Sequence, residues 1–216
     1  MFGEFARMLS NRKWCSVDSF AFAGFQFGGR AAGRGDDGWT LSAASAEDLF
    51  ELVRFYECSS GGLAMKALEL EPEAMGRPTI DGEFAKLGLK REKTLFSLTR
   101  GGKLKAIFMA LVSDMGLNMS GLTNCIHVFV TDSEGLTSDV LYRHLDLLSP
   151  RYSEAEIPLL VYPVSFVDDQ SIPHEKVYNL WAFDTRYTSR FYEYMQRILK
   201  KKDPAATRSA LVRSVS

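Results

Sequence analysis

Polar and apolar residues alternate from Lys93 to Thr99, Arg100-Gly-Gly-Lys follows, and Leu104 to Val112 is an apolar run rich in strand formers. That pattern predicts a hairpin closed by a tight glycine turn. Cys125 to Thr131 predicts the next strand, and period two places Cys125, His127, Phe129 and Thr131 on one of its faces. A polar turn, Asp132-Ser133-Glu134-Gly135, leads into an amphipathic helix that runs through Leu148 and stops at Ser149-Pro150, where proline forbids continuation. Pro158 to Phe166 reads as one nearly continuous apolar strand, with Pro163 marking a bulge or the place where it leaves its neighbour.

Upstream of the hairpin, Trp39-Thr-Leu-Ser-Ala is a short strand, and Ser45 caps a helix with Asp48 at the capping-box position. Leu49, Phe50, Leu52, Val53 and Tyr56 form its broad apolar face, opposite Glu47, Glu51 and Arg54. Cys58-Ser-Ser-Gly-Gly breaks it, Leu63 to Leu70 resumes helical spacing, and Pro72, Gly76 and Pro78 lead into a loop that runs through Asp81-Gly82. Val177 to Phe183 fits a last strand or the start of a helix. Thr185 to Lys202 is helical, with Tyr187, Phe191, Tyr194, Met195 and Ile198 at helical spacing. Residues 1–38 read as an N-terminal extension. In it Phe20-Ala-Phe-Ala-Gly-Phe has partial strand periodicity, and the glycines from Gly28 to Gly35 form a linker, because neither a strand into them nor a helix out of them is evident. The expected organisation is thus an extension over 1–38, one domain over 39–202, and a flexible tail over 203–216.

Composition narrows the classes. With 216 residues, 46% of them hydrophobic, and a formal net charge of -1, the chain can bury one core and carries no global basic field for nucleic acid. No apolar run approaches the ~20 residues that cross a bilayer, and the N-terminus lacks signal-peptide order, so the expectation is a soluble, cytoplasmic protein without a membrane span. Cys15, Cys58 and Cys125 are odd in number and far apart, and His127, His144 and His174 have no metal-ligand spacing. Free thiols and no metal are expected. The oligomeric state is left open.

The order strand, helix pair, hairpin, strand, helix, strand, helix over Trp39 to Leu199 resembles the acyl-CoA-dependent N-acyltransferase (GNAT) superfamily. The features that carry the resemblance are the break at Ser59-Ser60-Gly61-Gly62, the Arg100-Gly-Gly-Lys hairpin, and the strand-turn-helix from Val128 to Leu148. It implies an α/β (α+β) fold with a mixed, mostly antiparallel sheet flanked by helices. It also implies acetyl-CoA or another acyl-CoA as co-substrate and a small-molecule or peptide amine as acceptor. In that family a turn of the form Gln/Arg-x-x-Gly-x-Gly/Ala cradles the pyrophosphate, since amides and dipole at a helix start favour anions. Here the turn is Asp132-Ser133-Glu134-Gly135-Leu136-Thr137, which keeps one glycine and adds two carboxylates.

The resemblance assigns the donor to Phe129, Val130 and Thr131, with Tyr162 and Pro163 opposite, and to the amides of Gly135, Leu136, Thr137 and Ser138. Acyl transfer to an amine needs a base and an acid. His127 is the candidate base, and Tyr187 or Tyr192 the candidate acid. Glu57, Ser59 and Ser60 at the helix break are candidate acceptor contacts, while Asp168-Asp169-Gln170 reads as an exposed acidic loop. The altered turn keeps two alternatives open. One is a catalytically silent binding or regulatory module on the same fold, and the other is a transferase served by an acyl carrier protein.

Overall fold

The computed structural model describes residues 15–28, 38–76, 80–114 and 123–184, together with 186, 189, 192–193 and 196–197. Among the described residues seven strands form one sheet in the order β2-β3-β4-β5-β6-β1-β7. They are β1 (Cys15–Gln26), β2 (Trp39–Ala43), β3 (Arg91–Arg100), β4 (Lys103–Ser113), β5 (Cys125–Val130), β6 (Glu156–Tyr162) and β7 (Lys176–Phe183). Every neighbouring pair is antiparallel except β5 and β6, which run parallel from Ile126 opposite Leu159 to Phe129 opposite Tyr162. The mixed, mostly antiparallel sheet expected from sequence is therefore present.

Each prediction at the hairpin holds. Gly101 and Gly102 both have positive φ, 56° and 77°, the twist that a two-residue turn needs to join right-twisted strands. The pairing of β3 with β4 shifts between Leu98 and Thr99: Leu98 faces Ala106 and Thr99 faces Leu104, which leaves Lys105 as an extra residue. Such a bulge re-aims the side chain it carries.

One face of the sheet is covered by α1 (Ala46–Ser59) and the short α2 (Leu63–Ala67). Ser45 caps α1 as predicted, its hydroxyl accepting from the Asp48 amide at 3.2 Å while the Asp48 carboxylate accepts the Ser45 amide at 2.8 Å. Leu49, Leu52 and Tyr56 from α1 pack with Ile107, Met109, Phe129 and Tyr162 from the strands. Phe50, expected in that face, is 63% exposed instead. A five-residue apolar stripe is wider than the contact that one helix makes on a sheet.

The opposite face is covered by α4 (Ser138–Asp146) and α5 (Val164–Asp169), with Val140, Leu141, Leu145 and Phe166 packed on Ala106, Phe108, Val128 and Val161. The two residue sets alternate along the central strands, as period two requires.

Three expectations change. The segment from Cys15 to Gln26, read as part of an extension, is an interior strand held between β6 and β7. Val164 to Phe166, read as a continued strand, is helical, because the chain turns at Pro163. Asp81-Gly82, read as loop, lies in α3 (Ile80–Lys86), where the Asp81 carboxylate pairs with the Arg91 guanidinium, which also lies over the Phe84 ring. Val177 to Phe183, open between a last strand and a helix start, is a strand within β7. The predicted helix over 185–202 falls largely outside the described residues, and the predicted tail over 203–216 wholly so.

Candidate functional site

The parallel pair is where the sheet opens. Beyond Phe129 and Tyr162 the strands part, since the amides of Thr131 and Asp132 both donate to the Lys105 carbonyl on β4, at 3.0 and 3.2 Å, while β6 ends at Pro163. Thr131 lines an open cleft of about 540 Å³ with Phe50, Glu51, Arg54 and Phe55 of α1, and its hydroxyl is buried with no hydrogen-bond partner.

The turn after Thr131 is electrostatically balanced. Lys105, aimed by its bulge, brings Nζ to 2.5 Å from Asp132 Oδ2, with its own side chain only 5% exposed. That contact, ahead of every other influence, holds the Asp132 carboxyl below the usual carboxylate range. Asp132 Oδ1 also accepts the Glu134 amide at 2.9 Å. The Arg100 guanidinium lies against Gly135, whose φ is +72°, and over the Trp39 ring at 5.4 Å.

Thr137 caps α4 by accepting from the Val140 amide. The Leu136 amide donates to the Ser133 carbonyl at 3.0 Å and its side chain is buried in the core. The amides of Gly135, Thr137 and Ser138 make no hydrogen bond within the described protein. Three free donors, a helix start and two cations can hold an anion there despite two carboxylates.

Behind the opening stands an aromatic wall. Phe129 and Tyr162 stack at 4.8 Å between ring centroids, both fully buried, and His127 stacks on them at 5.9 and 6.1 Å. Sequence placed Cys125, His127 and Phe129 on one face, and they share the α1 side. The strand order, however, sets His127 one layer deeper than Phe129, away from the point where the strands part. Burial pushes its imidazole down to about 4, so it is neutral near pH 7, and its Nδ1 has no partner. Val130 lies on the opposite face, in the core beneath α4. Tyr187 lies outside the described residues, and Tyr192 is 63% exposed.

A second set of groups gathers on the α1 side. Because β1 runs antiparallel to β6, with Ala21 opposite Val161 and the Phe20 ring tilted against Tyr162 at 4.8 Å between centroids, Asp18 lies past the end of β6 and level with the opening. It shares the face of Phe20, beneath α2 and the elbow that joins it to α1. Asp18 is 6% exposed and its Oδ2 has no partner; the hydroxyls of Ser16 and Tyr56 are likewise buried and unpartnered.

Burial raises the Asp18 pKa, and the Ser60 side chain at the elbow offsets part of that rise. Burial first, and the Asp18 charge second, lift the Tyr56 and Tyr162 phenols far above their ordinary range. Of the predicted elbow contacts, Ser60 is buried against this cluster, whereas Glu57 and Ser59 are exposed, as are Asp168 and Asp169. Sequence reading missed Asp18, whose signal is a lone carboxylate inside the strand pattern from Cys15 to Phe25.

No protein-family model matches this chain, and no curated protein sequence does. Among solved structures it is similar to a functionally unknown conserved protein from Staphylococcus epidermidis ATCC 12228, at 11% identity and a TM-score of 0.38. The match covers 84% of this chain and 66% of that one, so this chain spans just under two thirds of that protein's length. No helix among the described residues is long and apolar enough to cross a membrane.

Proposed function

We propose that this chain is a divergent N-acyltransferase of the GNAT type, which takes an acyl-CoA at the opening between β5 and β6 and passes the acyl group to an amine. The observation that carries this reading is the single parallel pair in an otherwise antiparallel sheet, parting after Phe129 and Tyr162 at the start of α4. In open α/β sheets ligands bind in the crevice outside the carboxyl ends of the strands, and the carboxyl ends of the parallel pair β5 and β6 lie at this opening. The free amides of Gly135, Thr137 and Ser138, with Arg100 and Lys105, form the diphosphate end of the site. Thr131 marks the thioester end, beside the α1 cleft. There an unprotonated amine attacks the thioester carbonyl, the C–N bond forms, the C–S bond breaks, and the thiolate leaves and takes up a proton. A buried imidazole one layer behind the opening is poorly placed to be the base, which moves that role from His127 toward the opening itself.

Calorimetry with acetyl-CoA and a long-chain acyl-CoA tests the proposal: saturable binding that weakens in Arg100→Ala is expected. Absence of heat with both thioesters at high micromolar concentration rejects it. The fully buried Phe129–Tyr162 stack favours a second reading, a module that binds the donor without transferring from it. Saturable acyl-CoA binding with no thiol release on adding amines selects that reading.

A further inference from the structure

The buried groups around Asp18 form a site of their own. Among the described residues no lysine or arginine influences the carboxyl, whose surroundings act on it only through burial and the Ser60 side chain. An ionised carboxylate in that position is costly unless something supplies a counter-charge, and protonating it still leaves buried hydroxyls without partners.

We infer that Asp18 receives the ammonium head of a small aliphatic amine, held beneath the elbow between α1 and α2. An ammonium brings one positive charge and three N–H donors but no acceptor, and three unpartnered oxygens lie on this side of the sheet: Asp18 Oδ2, the Tyr56 hydroxyl and the Ser16 hydroxyl. The neighbouring, mutually tilted Phe20 and Tyr162 rings supply apolar and π surface for the adjoining methylenes and the cation. Because Asp18 and Tyr56 are 6% and 3% exposed, the head group must be compact, which selects a primary amine over a branched or quaternary one. The inference rests on the reading of the acceptor as an amine and gives that acceptor its chemical class. It places recognition on β1, beside the opening where the thioester ends.

The full chain is titrated with n-butylamine and 1,4-diaminobutane, with n-butanol and butyrate as shape controls at matched ionic strength, and binding is read from thermal shift and ligand-observed NMR. Saturable stabilisation by the amines and none by the controls is expected. Asp18→Asn, which keeps the shape and removes the charge, should weaken amine binding at least about tenfold. Tyr56→Phe, a milder change that keeps the packing, should weaken it a few-fold and serves if the first variant does not fold.

Equal responses to amine and alcohol overturn the inference, as do amine affinities unchanged in both variants and a response to sodium or potassium ions equal to that of the amines. Acetyl-CoA calorimetry on the same protein reports separately on the transferase reading. Amine binding without acyl-CoA binding leaves this inference standing and removes that reading, and the reverse pattern does the opposite.

Discussion

The buried imidazole makes a quantitative prediction about acid stability. His127 is 6% exposed, stacked on Phe129 and Tyr162, and its pKa is lowered from 6.5 to about 4 by burial alone. In the unfolded chain the same group takes up its proton near pH 6.5. Between those two values the unfolded state binds more protons than the folded one, so stability falls as pH falls. At 1.36 kcal/mol per pKa unit, the interval gives a loss of about 3 kcal/mol by pH 4, accumulating at about 1 kcal/mol per pH unit below 6.5. That is a large share of the roughly 5–15 kcal/mol of a typical domain.

His127→Phe removes the titration and keeps an aromatic ring in the stack. Urea denaturation of both proteins at intervals from pH 7.5 to 4.5 isolates the effect, because every other group titrates in both. The stability difference between variant and wild type should be flat above pH 7 and then move steadily in the variant's favour. A difference that stays constant to pH 4.5 refutes the reasoning and means that the imidazole reaches water or a partner in solution.

Other perturbations test the charges at the opening. Asp18→Asn should stabilise the protein by about 1–3 kcal/mol at pH 7, since an unpartnered buried charge is removed. The sign follows from the raised pKa: the wild-type protein loses stability as pH rises from the ordinary carboxylate range through the folded value, so the gain vanishes at low pH, as urea titrations at both pH extremes will show. Lys105→Met should return the Asp132 carboxyl upward toward its ordinary range, read by carbon NMR of the carboxyl, and an unmoved titration contradicts the ion pair. Gly135→Ala should cost about 1–2 kcal/mol in thermal unfolding, from a left-handed φ and a collision with the Arg100 guanidinium. Most of that loss should persist in an Arg100→Ala background, because a flexible side chain can move whereas the backbone conformation cannot.

Local signals were legible in the sequence and distant ones were not. The Ser45–Asp48 capping box and the Gly101-Gly102 turn each depend on residues within a few positions, and each stands where the pattern put it. Val164 to Phe166 misled because a short apolar run has no period of its own, and strand and helix look alike in it. The loop reading at Asp81-Gly82 weighed the glycine and not the partner, Arg91, ten residues on. The largest departure, β1, has the same origin: it pairs with Val161 and Tyr178, far along the chain, and half-regular periodicity near a glycine-rich segment resembles an extension. Asp18 was overlooked with it.

The placement of β1 also changes what the opening is. With β1 beside β6, the parting of β5 and β6 is bounded on both flanks by continuous sheet: β4 beyond β5, and β1 beyond β6. The β4 flank contributes a bulge lysine already committed to Asp132, with Arg100 nearby; the β1 flank contributes a buried carboxylate with no cation among the described residues to offset it. Like charges on the two flanks would favour one kind of ligand, whereas these differ in sign and in how far they are satisfied. On the proposed reading a donor carrying a diphosphate fits the α4 side, where the exposed Arg100 guanidinium neighbours free amides and the buried Lys105 offsets Asp132. An ammonium fits the Asp18 side, where an unsatisfied carboxylate is removed from water and each interaction is correspondingly stronger. On the proposed reading, the diphosphate of the donor and the ammonium of the acceptor are thus received on opposite flanks of one gap, and the amine must give up its proton before it attacks the thioester.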